Sequence, residues 1–314
     1  MEKRKTTKDL EAAIEKMHIG GSIQFVECFH NFLDLALSYF CNNMNERQMA
    51  LRKRVEENDD FRKAYQEALE AYGDCAEDYK DPMGDMFMEK ISHGQHGQFF
   101  TPEDLCTLSA ELIGIGNIED GMTINDPTSG SGRMLLKALQ IAREVHGKEP
   151  LLYANDLSMT CAKMCLLNFL VNTVDGEVTC GDALKLDWEN FTFFKIDKVR
   201  NLATGAVLST YWQYTTADAE KVSEKRQKWF WWIFEHGWVK YKKYPSIEEL
   251  TDSYLSLESD DEENTDEKEE PSLSFEFGKE ITKESLKETA MEYVKEDPLP
   301  TEIKVGENGQ LQLF

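Results

Sequence analysis

Seven consecutive residues, Asp126-Pro127-Thr128-Ser129-Gly130-Ser131-Gly132, put a carboxylate, three hydroxyls and two glycines into one short turn. Without Cβ atoms at Gly130 and Gly132 the backbone can bend sharply and lie against a ligand, whose polar groups then meet the first N–H groups of a following helix. The apolar lead Met122-Thr123-Ile124 and the run Met134-Leu135-Leu136-Lys137-Ala138-Leu139 predict a strand before the turn and a helix after it. A dinucleotide fingerprint needs a third small residue three positions after Gly132, and Leu135 stands there, which argues against NAD. Asp126 at the head of the turn suits a ligand that carries a cation, and S-adenosylmethionine carries both an ammonium and a sulfonium.

Three further blocks stand in order around this turn: Gly97-Gln98-Phe99-Phe100-Thr101-Pro102 before it, then Tyr153-Ala154-Asn155-Asp156 and Cys180-Gly181-Asp182-Ala183-Leu184 after it. In order and spacing the four blocks, spanning roughly residues 80–200, resemble the gamma-type DNA adenine-N6 methyltransferases, in particular the modification subunits of type I restriction systems. The resemblance implies an S-adenosylmethionine-binding α/β fold with a Rossmann-like sheet, DNA as substrate, and a separate specificity or catalytic subunit as partner. It implies that Asp126, Pro127, Ser129, Gly130 and Gly132 form the cofactor turn. It also gives Asp156 the ribose, Asp182 the adenine amine and Thr101 the methionine carboxylate, with Phe99 and Phe100 walling the pocket.

The residue chemistry is compatible with those roles. Asp156 lies 24 positions after Gly132 (156 − 132), at the end of the apolar stretch Leu151-Leu152-Tyr153-Ala154, where a carboxylate can accept two hydroxyls. Asp182 follows the strand-like Glu177-Val178-Thr179-Cys180. Either aspartate alone is more often a helix cap or a solvated loop carboxylate, and their joint placement favours the pocket. Asn125 and Asn155 read as turn formers.

Active amino-methyltransferases follow a fourth strand with Asn or Asp, two prolines and an aromatic, which orient the amine and stack on the flipped base. Here the expected fourth strand is Phe194-Lys195-Ile196-Asp197-Lys198-Val199, and Arg200-Asn201-Leu202-Ala203-Thr204-Gly205 follows. Asn201 takes the catalytic place, Leu202 and Ala203 replace the prolines, and Thr204 has no stacking face; Tyr211 or Trp212 could substitute. Beyond Ala206-Val207-Leu208 few strands are recognisable, which predicts a shortened sheet.

Three regions must carry these blocks: a helical region over 1–92, a methyltransferase-like domain over 93–244 and an acidic, largely disordered tail over 245–314. Apolar residues at three- and four-residue spacing predict a buried helix over Ile23–Leu37, and a more polar one covers Phe61–Leu69. The 314-residue chain has a formal net charge of −24. Residues 245–314 hold 21 acidic and 6 basic groups (net −15), leaving 38 and 29 (net −9) in 1–244. An acidic chain can still bind DNA through a locally basic face. Lys225, Arg226 and Lys228 beside Trp229-Phe230-Trp231-Trp232, with Trp238, Lys240, Lys242 and Lys243 following, form the candidate contact; a core stripe of tryptophans with a solvated lysine face is the favoured alternative.

Seven cysteines without a zinc-type pair predict a reduced cytoplasmic protein, and no apolar run approaches the roughly 18 residues of a membrane span. His93 and His96 read as loop residues, with no metal expected. A helix is predicted over Lys283–Lys295 in the tail. The terminal Gln310-Leu311-Gln312-Leu313-Phe314 resembles the peptide with which bacterial DNA-processing proteins dock into the replication sliding clamp, through Gln310, Leu311, Leu313 and Phe314.

Overall fold

In the computed structural model the residues described are 4–18, 24–92, 100–185, 188–201, 204–236, 238–241, 303–305 and 311–313. Four helices open the chain: α1 (Thr7–Glu15), α2 (Phe25–Ser38), α3 (Glu46–Glu57) and α4 (Asp59–Ala76). Three of the four starts are written in the sequence as capping residues. Thr6 and Asp9 form a reciprocal capping box on α1, as do Asn45 and Gln48 on α3, and Asn58 caps α4 through the Phe61 N–H at 2.8 Å. A short helix α5 (Pro82–Phe87) follows, with Asp81 as its cap and proline at its first position.

The second half is an α/β layer. Helix α6 (Glu103–Leu112) leads to β1 (Thr123–Asp126), α7 (Arg133–Glu144), β2 (Leu151–Asp156), α8 (Met159–Val171), β3 (Gly176–Cys180), β4 (Thr192–Asn201), β5 (Val207–Thr215), α9 (Ala219–Glu235) and β6 (Trp238–Lys240). β1, β2 and β3 are parallel, because each is joined to the next by a helix that crosses back over the sheet. Among its described residues the 181–191 connection has only a three-residue helical turn at Trp188–Asn190, too little for such a crossover, and β4 returns antiparallel beside β3. β5 then pairs antiparallel with β4, giving the order β1-β2-β3-β4-β5, and β6 joins the far end of β4. The expected fourth strand is thus present as β4, and it runs back down the sheet.

The outer side of β5 is covered by the protein itself. Phe40 and Asn42 exchange backbone hydrogen bonds with Tyr211 at 2.9 Å each, and Asn43 accepts from the Gln213 N–H at 2.9 Å. Tyr211 and Trp212, expected as candidate stacking residues, are buried there; the Tyr211 hydroxyl accepts from the Gln48 amide at 2.8 Å. The helices of the first 92 residues and the α/β layer share one contiguous core, which includes Phe29, Phe32 and Tyr72 of the former and Leu166 and Phe169 of α8, Phe194 of β4 and Tyr211 of β5 in the latter.

Five cysteines, Cys28, Cys106, Cys161, Cys165 and Cys180, are buried free thiols, and burial pushes the Cys161 thiol up to about 12. Among the described residues no helix is long and apolar enough to cross a membrane. Near the C-terminus β7 (Ile303–Val305) and β8 (Leu311–Leu313) pair antiparallel. Gln310 and Phe314, the expected tail helix over 283–295, and His93, His96, Gly97, Gln98 and Phe99 lie outside the described residues.

Candidate cofactor site

The glycine turn sits where β1 ends and α7 begins. Gly130 and Gly132 have φ of 56° and 83°, and Gly132 caps α7 in the left-handed conformation. A Cβ at Gly130 would lie 2.8 Å from the Phe100 ring, and one at Gly132 would lie 2.6 Å from Cys165 Sγ. Both positions therefore need glycine for conformation and for space. Phe100 in turn stacks on Phe87 with ring centroids 5.9 Å apart, so the turn rests on an aromatic floor that joins it to α5.

Asp156, at the end of β2, accepts hydrogen bonds from the Gly130 N–H at 2.9 Å through Oδ2 and the Ser158 N–H at 2.8 Å through Oδ1. A carboxylate has about four acceptor positions, so lone pairs remain for an incoming hydroxyl pair. Asp126 accepts from the Thr128 N–H at 3.0 Å and stands at the same end of the sheet. Burial raises the Asp126 pKa above the usual carboxylate value, and the charge of Asp156 adds to that rise while the Thr128 N–H opposes it. Two converging carboxylates, one of them partly desolvated, favour a cationic ligand. Ser129 is buried in the turn, its N–H donating to Asn155 O at 2.8 Å, while Pro127 is exposed at the rim. Thr101 lies over the start of α7, with its hydroxyl 3.8 Å from Met134 Sδ.

Asp182 follows β3 on an exposed loop. Its Oδ1 accepts from the Leu184 and Lys185 N–H groups at 3.0 and 3.3 Å, and the Lys185 ammonium is 3.2 Å from its other oxygen. The Lys185 contact, with the Leu184 N–H, holds its carboxyl below the usual range.

Two residues outside the expected set organise the site. Asn155, expected only as a turn former, donates from its amide to Pro127 O and Gly181 O, both at 3.1 Å, and accepts from the Thr179 hydroxyl at 2.8 Å. It thereby ties the loops after β1 and β3 to the end of β2. Asp81, only 2% exposed, lies beneath the turn and accepts from the Gly84 N–H, the Asn168 amide (both 2.9 Å), the Ser131 hydroxyl and the Arg133 guanidinium. Burial pushes its carboxyl up, and Arg133, Ser131, Asn168 and Gly84 oppose that shift. Nothing in the local sequence marks Asp81 as the residue beneath a turn 50 positions away.

The structure brings Thr101, Asp126, Pro127, Ser129, Gly130, Gly132, Asp156 and Asp182 to the C-terminal edge of the parallel strands, and it does not bring Asn201 there. Thr192 is level with Cys180, itself level with Asp156, and β4 descends from that point. Asn201 is nine residues further (201 − 192), about 30 Å away at the usual strand rise. Its Oδ1 accepts from the Thr204 N–H at 2.9 Å within the turn that joins β4 to β5, and Leu202 and Ala203 lie outside the described residues. The expectation that Asn201 orients an amine at the cofactor is not met, because the connection before β4 is too short to bring that strand in parallel.

The α9 contact candidate divides into two faces. Arg226 is committed to a bidentate pair with the fully buried Asp197, and Trp229 packs edge-on against Trp212 with centroids 6.0 Å apart. Lys221, Lys225, Lys228, Trp231 and Trp232 remain exposed.

Comparison with known proteins places this site in a family context. Residues 79–235 match the model of the N-6 DNA Methylase family. A type I restriction enzyme MjaVII methylase subunit of Methanocaldococcus jannaschii is 28% identical over 160 residues, which cover 46% of this chain and 27% of that protein. A Listeria monocytogenes protein assigned to the class I S-adenosylmethionine-dependent methyltransferases is 16% identical, with a TM-score of 0.35 over 57% of this chain and 54% of its own. The methyltransferase subunit of a type I restriction-modification system from Streptococcus thermophilus is 18% identical, with a TM-score of 0.30 over 58% and 45%. The chain thus spans about a quarter of the length of the curated relative and about half of each solved structure.

Proposed function

Because this chain belongs to the N-6 DNA Methylase family, we propose that it is the cofactor-binding part of an S-adenosylmethionine-dependent DNA adenine-N6 methyltransferase of a restriction-modification or mobile-element system. The observation that carries the reading is the convergence of the Gly130–Gly132 turn, Asp126 and Asp156 at one end of the parallel strands. The residues present fit the cofactor: two glycines leave a cradle that a Cβ would fill, and a partly desolvated carboxylate beside a second one calls for a cation. When bound, S-adenosylmethionine supplies a methyl group activated by the sulfonium. Asp156 would hold the ribose hydroxyls, Asp126 would face the cationic end, Asp182 would accept from the adenine amine, and Thr101 would bind the methionine carboxylate. Phe100 excludes water from beneath the turn.

The position of Asn201 supports one refinement: the group that orients the acceptor amine comes from elsewhere, and methyl transfer requires a second polypeptide. Attachment to a sliding clamp through Gln310, Leu311, Leu313 and Phe314 is a finer part of the same proposal, tested by loss of clamp binding on deleting 310–314. The primary test is calorimetry with S-adenosylmethionine. Binding by the full chain that is lost in Asp156→Ala supports the reading, and no binding by the folded wild type overturns it. Incubation of the chain alone with methyl-labelled cofactor and DNA should leave adenine unlabelled.

A further inference from the structure

The two sides of the sheet are finished differently. On the β5 side, residues Phe40–Asn43 cover the edge. On the other side, β1 pairs with β2 alone, and among the described residues no strand lies along its outer edge. An uncovered edge presents a row of backbone donors and acceptors that another strand can pair with. In doubly wound sheets the ligand crevice opens where strands leave the first strand in both directions, and here they leave β1 in only one.

The helix beside that edge is inverted in its amphipathicity. α6 packs on α7, which packs on β1. It buries the small residues Cys106 and Ala110 and turns its leucines outward: Leu105, Leu108 and Leu112 are 51%, 53% and 78% exposed. Their spacing of three and four places them on one stripe. Ile113 at 65% and Met122 at 50% extend the apolar surface towards β1. A helix normally buries its large apolar residues, so a leucine stripe at an uncovered strand edge marks an interface.

Charge selects the occupant. Glu103, Asp104 and Glu111 are exposed on the same helix. A second copy would bring the same acids to a self-complementary contact, and the chain's own residues 245–314 carry a net charge of −15. Both would set like charges together. We propose that the β1 edge and the α6 stripe dock a different polypeptide, which adds a strand parallel to β1 and sets basic residues against Glu103, Asp104 and Glu111. A strand placed there ends beside the turn that opens with Asp126, where it would carry the amine-orienting group. Only this last role rests on the methyltransferase reading.

The test combines three measurements on the full chain. Sedimentation should give a monomer, and the outward amides of residues 123–126 should exchange quickly with solvent. Affinity isolation from the native host, compared between wild type and Leu108→Glu/Leu112→Glu, should yield one stoichiometric polypeptide. The variant should bind it about 100-fold more weakly, and the purified polypeptide should slow exchange over 123–126. Leu108→Ala/Leu112→Ala, with an unchanged melting curve, guards against misfolding. A dimer broken by the leucine variants assigns the surface to a second copy and overturns the proposal. Slow exchange at 123–126 that becomes fast on deleting 245–314 assigns it to the tail and also overturns it. So does the absence of any polypeptide whose retention depends on Leu108 and Leu112. Calorimetry with S-adenosylmethionine is read separately, so failure of docking and failure of the cofactor assignment remain distinct.

Discussion

The Asp156 carboxylate has two tasks that substitution can separate. It holds the Gly130 N–H within the protein and offers its remaining lone pairs and its charge to the ligand. Asp156→Asn keeps an acceptor for Gly130 and should weaken S-adenosylmethionine binding about tenfold, whereas Asp156→Ala removes both functions and should weaken it about 100-fold. Equal affinities in calorimetry for the two variants would remove the ribose assignment. Asp81 makes a different kind of contribution. Asp81→Ala leaves the Ser131 hydroxyl and the Gly84 N–H without this acceptor, Asn168 with Ser131 O, and Arg133 with Asp85 as its remaining carboxylate, and should destabilise the fold by about 3–5 kcal/mol in urea denaturation. At this scale the sequence was legible where the chemistry is local: a glycine turn and two strand-end aspartates carry their own signature. Asp81 and Asn155 were not, since what they bind is far along the chain and adjacent only after folding.

At the scale of elements, the glycine turn works because α7 and α8 approach closely at Gly132. Gly132→Ala adds a left-handed penalty at φ 83° and a collision with Cys165 Sγ, together about 2–4 kcal/mol. In a Cys165→Ala background the collision is relieved and the conformational penalty remains, so the cost should fall to about 1–2 kcal/mol in a double-mutant cycle. Simple additivity would mean that the two side chains do not meet. The strands of this layer were readable from their apolar runs, and β1, β2, β3 and β4 lie where those runs predicted. The direction of β4 could not be read from its run. Apolar periodicity is the same for a strand running up or down, and only the length of the preceding connection separates them. Among the described residues of the 181–191 connection, the single helical turn Trp188–Asn190 is too short to cross over with.

At the scale of the molecule, the first helices share a core with the α/β layer, and a largely buried ionic cluster lies at the end of the sheet away from the glycine turn. Arg143 donates to Glu149 at 2.6 and 3.0 Å, and Lys198, 3% exposed, reaches the same carboxylate at 2.9 Å. Burial lowers the Lys198 pKa from 10.5 to about 8, against the pull of Glu149. Between pH 8 and 10.5 the unfolded chain therefore binds more protons at this residue than the folded one. Its contribution to stability rises with pH across that window, by at most about 3 kcal/mol, and the penalty is fully present below pH 8. Urea midpoints measured from pH 7.5 to 10 should show this rise in the wild type and not in Lys198→Met; parallel curves would sink it. Composition could not disclose such a cluster. It placed the chain's acidity in the tail and gave no sign that the helical region and the sheet would share a core, because the joining contacts pair residues near 40 with residues near 211.

That strap over β5 also fixes when the protein can take shape. Phe40, Asn42 and Gln48 wait for Tyr211, about 170 positions later in the chain. At the usual rate of translation, about 5–20 residues per second, the first helices would spend roughly ten to thirty seconds outside the ribosome with Tyr211 not yet synthesised. During that interval the face of α2 that belongs in the core has no sheet to lie on, so the nascent chain leaves those apolar side chains uncovered by the sheet until β5 emerges.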